Sequence, residues 1–208
     1  MKTCGYYLRE WGGNMRNLYS HLFAGLALTA LLACGGGVNK PDPTPPSPRL
    51  ASSLVYTDPG GTGYRFVRGA DSTSNTLILE LRGPASETGR GVTFGLQIDT
   101  SKAKFVKISP NDVEFVQNGV FELGDAPRLF KSVLDGNNDN TLRASIAQKS
   151  QGNAKPLNEV LARVAVQLQP GVAAGTISLS ALDARVLPGD SGASIPITSI
   201  AVGNLAAQ

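Results

Sequence analysis

From Leu50 onward, apolar and polar residues take turns at period two. "GVTFGLQIDT" sends Val92, Phe94, Leu96 and Ile98 to one side and Thr93, Gly95 and Gln97 to the other. In "TLILELRG", Leu77, Leu79 and Leu81 share a face. Such alternation marks a strand buried on one side only. "LVYT", "YRFVR", "AKFVKI", "VEFVQNGVFEL", "RLFKSVL", "TLRASIA", "GTISLSALDARV" and "IPITSIAV" read as further strands. Clusters of Gly, Asn, Asp and Pro separate them at short spacing, as in "DPGGTG". Many short antiparallel strands with turns of this kind predict an all-β sandwich or barrel.

One segment fits two periods. In "PLNEVLARVAVQLQPG", Leu157, Val160, Leu161, Val164 and Leu168 sit at helical spacing, while Val160, Ala162, Val164, Val166 and Leu168 alternate. The β-branched valines and the surrounding strands favour a strand from about Val160, with "PLNE" forming one helical turn before it.

The chain before Leu50 has a different pattern. Leu22 to Ala33 is almost wholly apolar, the length of a signal-peptide core and too short to span a bilayer. Arg16 supplies the positive region ahead of it, and either Met1 or Met15 serves as the start. "LLAC" resembles a bacterial lipobox, in which the cysteine, here Cys34, becomes the lipidated N-terminus. Acyl chains contribute about 0.8 kcal/mol per buried methylene, so two or three hold a protein firmly on a membrane. Gly35 follows the Cys, and the resemblance implies the outer membrane, on its periplasmic or surface side. "GGGVNKPDPTPPSP" then reads as an extended tether. The expected organisation is a signal peptide over 1–33, a tether over 34–49 and a sandwich domain over 50–208.

Removing the leader alters the composition. The chain holds 19 Lys and Arg against 16 Asp and Glu; without Lys2, Arg9, Arg16 and Glu10, 16 and 15 remain. A net charge near +1 carries no electrostatic footprint for nucleic acid. His21, Trp11, Met1, Met15 and Cys4 all precede Cys34. The mature chain therefore has no His for a catalytic relay, no His or second Cys for zinc, and no intrachain disulfide. Glu80, Asp99, Glu122 and Asp125 are carboxylates with nothing in the sequence to pair them. No G-K-[ST] ending marks a phosphate loop. These residues point away from an enzyme and call for no cofactor.

"DGNNDN" is the metal candidate. Asp135, Asn137 and Asp139 hold positions one, three and five of a calcium-loop spacing. Asn140 at position six and Ile146 at position twelve exclude a full EF-hand loop. The plainer reading is a hairpin connection rich in residues that tolerate left-handed backbone.

The order of motifs carries a further likeness. "LILELRG", "RGVTFGLQIDTSKAKFVKI", "LFKSVLDGNNDNTLRASIA", "LARVAVQLQPG" and "GTISLSALDARVLPG" succeed one another over about Leu77 to Gly203. In order and spacing this resembles the cohesin family. The resemblance implies a jelly-roll sandwich of about nine strands, related in fold to some carbohydrate-binding modules, and a dockerin-like protein partner. It also implies a flat sheet face built from Gly91 to Asp99, Arg128 to Leu134, Thr141 to Ala147 and Gly175 to Leu182. Alternation sends Phe94, Leu96, Leu142, Ile146, Ile177 and Leu179 to the core. Thr93, Gln97, Arg143, Ser145, Ser178 and Ser180 are then the candidate partner-binding residues, with Lys131 left open because "RLFKSVL" alternates poorly. Carbohydrate binding, linked to polysaccharide breakdown, is the alternative. Stacking platforms need exposed Trp or Tyr, and after Cys34 only Tyr56 and Tyr64 remain, so a glycan would have to be held by polar loops. A plain structural envelope lipoprotein is the third reading.

Overall fold

The computed structural model describes residues 47–149, 153–189 and 192–208. The leader, Cys34 and most of the tether lie outside the described residues. In chain order, β1 (Leu54–Thr57), β2 (Arg65–Arg68) and β3 (Thr76–Arg82) precede the long β4 (Thr88–Ile98). Next come β5 (Ala103–Val106), β6 (Val116–Asn118), β7 (Leu129–Asp135) and β8 (Thr141–Ala147). After β9 (Lys155–Pro156) and β10 (Ala162–Leu168), the chain forms β11 (Gly175–Ile177), β12 (Leu179–Ala181) and β13 (Ala184–Pro188). The last two are β14 (Ile195–Ile197) and β15 (Asn204–Ala207).

The front sheet has the order β14-β13-β4-β8-β7, with β12 and β9 also paired to β4. The back sheet runs β2-β3-β10-β5, with β6 on β10, and a side sheet runs β1-β15-β11. All of these strand pairs are antiparallel. Alternation left a sandwich or a barrel open, and the all-β sandwich is what forms.

Alternation dictates what is buried. Val92, Phe94, Leu96 and Ile98 of β4 point inward, as do Leu77, Leu79 and Leu81 of β3. Phe66 from the back sheet meets Phe94 from the front edge-on, with ring centroids 5.5 Å apart. Each such side chain contributes roughly 1.5–3 kcal/mol on burial, and the rings add a favourable edge contact. No disulfide shares this task, because no cysteine lies among the described residues.

The ambiguous segment is a strand. Ala162, Val164 and Val166 stand opposite Leu81, Leu79 and Leu77 and are fully buried with them. A helix would have turned this apolar row away from β3. The helical turn expected at "PLNE" is absent: Lys155 and Pro156 pair with β4, and a plain turn follows.

Two other expectations need correction. "VEFVQNGVFEL" is a strand only over Val116–Asn118. Just past it the Asn118 side-chain amide donates to the carbonyls of Gly119 and Phe121. The Gly175 to Leu182 stretch is two strands in different sheets, β11 in the side sheet and β12 in the front sheet. Ile177 packs into the core opposite Leu205, and the Ser178 carbonyl then accepts the Asp99 N–H as the chain crosses over.

Candidate binding face

The outer side of the front sheet can be read from its register, since directly opposed residues share a face. One row runs Lys131, Ser145, Thr93, Arg185 across β7, β8, β4 and β13. The next runs Val133, Arg143, Gly95, and a third runs Asp135, Thr141, Gln97, Ser180. Leu129, Ala147, Gly91 and Leu187 form the row at the far end.

This register brings together Thr93, Gln97, Arg143, Ser145 and Ser180, five of the residues selected from alternation. The Thr93 and Ser145 hydroxyls are hydrogen-bonded at 3.2 Å. Ser178 is exposed in the break between β11 and β12, one position beyond the front-sheet ladder, where its carbonyl accepts the Asp99 N–H.

Lys131 does join the face. The doubtful alternation of "RLFKSVL" has a physical source in Ser132, a polar residue that points inward and is buried. Its hydroxyl donates to Glu114 Oε2 at 2.9 Å and accepts the Phe115 N–H at 2.8 Å. Glu114 Oε2 also accepts the Ser132 backbone N–H at 2.6 Å, and Oε1 accepts the Lys131 ammonium at 3.1 Å. Burial works against charge on Glu114, but these donors outweigh it and hold the carboxyl below its usual range. The 109–118 segment thereby covers part of the β7 edge, which would otherwise leave backbone donors unpaired.

Leu129, Val133 and Arg185 also stand on this face without having been marked by alternation. Leu129 and Val133 flank Lys131 and are 54% and 44% exposed. Arg185 sits beside Thr93 and donates from Nε and Nη2 to the Ser194 hydroxyl and carbonyl, at 2.9 and 2.8 Å. The outward parity of "LDARV" would have revealed Arg185. No sequence signal tells an exposed valine on an outer face from a core one.

Gly95 is the thin point of the sheet. The Leu182 N–H donates to its carbonyl at 2.9 Å, and a Cβ on Gly95 would stand 3.0 Å from that of Leu182. Leu182 therefore lies on the outer face between Arg143 and Arg185.

The metal candidates occupy the β7–β8 hairpin. Asp135 Oδ1 accepts the neighbouring Gly136 N–H at 2.7 Å, and Oδ2 lies 3.9 Å from Arg143 Nε. Asn137–Asp139 is a single 3-10 turn in which Asn138 and Asp139 both take φ of +55°. Among the described residues no group of three or more His, Cys, Asp or Glu is arranged to hold a metal ion.

The carboxylates considered for catalysis are scattered. Glu80 pairs with Arg82 at 2.8 Å and Arg163 at 3.7 Å on the outer side of the back sheet. Glu122 pairs with Lys155. Asp99 accepts the Ser101 hydroxyl and N–H in a turn, which lowers its carboxyl below the ordinary value. Asp125 enters through its backbone carbonyl, which accepts Lys149.

Comparison with solved structures gives a consistent likeness in chain path. A type II cohesin domain from the Acetivibrio cellulolyticus cellulosome aligns at 13% identity and a TM-score of 0.49, over 69% of this chain and 93% of that one. The chain is similar to cohesin domains of known structure. A type I cohesin–dockerin complex from Clostridium thermocellum aligns at 14% identity and a TM-score of 0.45, over 76% and 96% of the two chains. A collagen-binding domain from a Staphylococcus aureus adhesin aligns at 11% identity and a TM-score of 0.30, over 68% and 99%. No protein-family model matches the chain, and neither does any curated protein.

Proposed function

We propose that this chain is a non-enzymatic, cell-envelope module that binds a protein partner on the outer face of its front sheet. The observation that carries the reading is the composition of that face. Lys131 and Arg143 stand among Leu129, Val133 and a field of hydroxyls and amides, all on rigid paired strands. Lys131 and Arg143 side chains are 69% and 53% exposed. Apolar patches ringed by polar groups, with an arginine among them, are the usual ground for protein interfaces. The order of cohesin-like motifs in the sequence favours a dockerin-like partner.

Capture from the secretome of the same cell, with the chain as bait, supplies the partner. Arg143→Ala and Val133→Asp should then weaken binding by about 1 kcal/mol or more with the melting temperature unchanged. Unchanged affinity in both variants places the interface elsewhere and overturns the reading.

The anchoring half of the proposal rests on "LLAC" and the tether that follows it. Cys34→Ser should move the protein from the membrane to the soluble fraction. A variant that stays on the membrane, with intact mass of the wild type showing no acyl chains, refutes the anchor.

A further inference from the structure

The outer face does not end at β4. Toward β13 and β14 it deepens into a groove of about 810 Å³ whose walls include Arg143, Leu182, Asp183, Arg185, Thr198 and Ser199. Three features define what this groove can hold.

Two guanidinium groups come into it from strands on either side of β4. Arg185 is held by its two bonds to Ser194, so its fork is oriented before any ligand arrives. Arg143 has an ion contact of 3.9 Å with Asp135, too long for a hydrogen bond, and its side chain is half exposed. Among the described residues Asp183 is the only acid in the lining, set against the two guanidinium groups. A planar guanidinium matches a carboxylate through two parallel hydrogen bonds.

Among the described residues the lining contains no Phe, Tyr or Trp. Sugar rings therefore find no face to stack on. Instead Ala181, Leu182, Pro196 and Ile197 offer small apolar contacts, and Thr198 and Ser199 offer hydroxyls.

The register sets a spacing. Arg143 opposes Gly95 and Arg185 opposes Thr93, so the two arginines lie two strand gaps and two residues apart. At about 4.8 Å per gap and about 3.4 Å per residue, that is about 12 Å between Cα atoms, or three to four residues of extended chain.

We propose that the groove binds an acidic segment of the protein partner, with two carboxylates three or four residues apart on Arg143 and Arg185. This rests on the protein-docking reading above and adds Arg185 and the chemistry of the partner to it.

The test is titration of the 15N-labelled full chain with a hexaglutamate peptide at low salt. Saturable shifts are expected at the Leu182, Asp183, Thr198 and Ser199 amides, weakening as salt is raised. Arg143→Gln should reduce the apparent affinity about fivefold or more, and Arg143→Gln with Arg185→Gln should abolish the shifts. If the Arg185 substitution lowers stability through loss of Ser194, Arg143→Gln alone decides, since that side chain is solvent-exposed. The proposal is overturned if the shifts centre on Lys102, Lys104 and Lys107 or do not appear. It is equally overturned if oligogalacturonate, an acidic glycan, binds while hexaglutamate does not. With the captured partner in hand, the two readings separate. Weaker binding in Arg143→Ala and Val133→Asp but none in Arg185→Gln removes the groove and leaves the docking face standing.

Discussion

Replacing Glu114 with glutamine isolates the charge that fastens the 109–118 segment to β7. The carboxylate accepts the Ser132 N–H at 2.6 Å, the Ser132 hydroxyl at 2.9 Å and the Lys131 ammonium at 3.1 Å. Its side chain is 11% exposed, so the two serine bonds are sheltered, whereas Lys131 is 69% exposed and its share is small. A hydrogen bond to a charged acceptor contributes about 1 kcal/mol more than one to a neutral acceptor, so Glu114→Gln should cost about 1–2 kcal/mol at neutral pH. For a domain of this size that lowers the melting temperature by roughly 2–8 °C. The pH dependence is the sharper part. The folded carboxyl lies below its unfolded value, about 4.3 for glutamate, so its stabilisation is complete above that pH and is lost as pH falls through the folded value. Denaturant melts of wild type and variant should therefore show a constant gap from pH 7 to about 5 that closes below pH 4. A gap that persists to pH 2.5, or a variant as stable as wild type at pH 7, refutes the account.

Three further substitutions test the packing of the sheets. Tyr56 donates to the Phe66 carbonyl at 3.0 Å and accepts the Gly203 N–H at 2.7 Å, so Tyr56→Phe should cost about 1–3 kcal/mol in urea denaturation. Burial pushes the Tyr56 phenol up to about 12, so wild-type stability should fall as pH rises from about 10 toward that value. Part of that fall should vanish in the Phe variant, and an identical alkaline profile argues against the buried phenol as its source. Phe94→Ala should cost about 3–5 kcal/mol by leaving a cavity against Phe66, and a loss under 1 kcal/mol would mean that the two sheets do not pack as described. Gly95→Val should drive Leu182 off the sheet and destabilise by about 1–3 kcal/mol, checked by thermal melting.

What the chain alone determines is what alternation can determine. Whether a side chain points in or out is set by its parity along a strand, a local property, and it placed Phe94, Leu96, Leu142 and Ile146 in the core and Thr93, Gln97, Arg143 and Ser145 opposite them. Parity left 162–168 open, since helical spacing fits it as well, and it is the pairing of Ala162, Val164 and Val166 with Leu81, Leu79 and Leu77 that makes it a strand. Which sheet a strand joins is not local. "GTISLSA" alternates without interruption, yet tertiary pairing divides it, with Ile177 opposite Leu205 and Leu179 opposite Ile98. Only the fold shows that Ser132 is polar and buried because Glu114, 18 residues away, turns in to meet it. The same is true of the groove: Arg143 and Arg185 are 42 positions apart, and β4 between them brings both to one wall. Hydrogen bonding between strands rewards any register that buries the apolar parity, so the sequence narrows the faces and the packed core selects the neighbours.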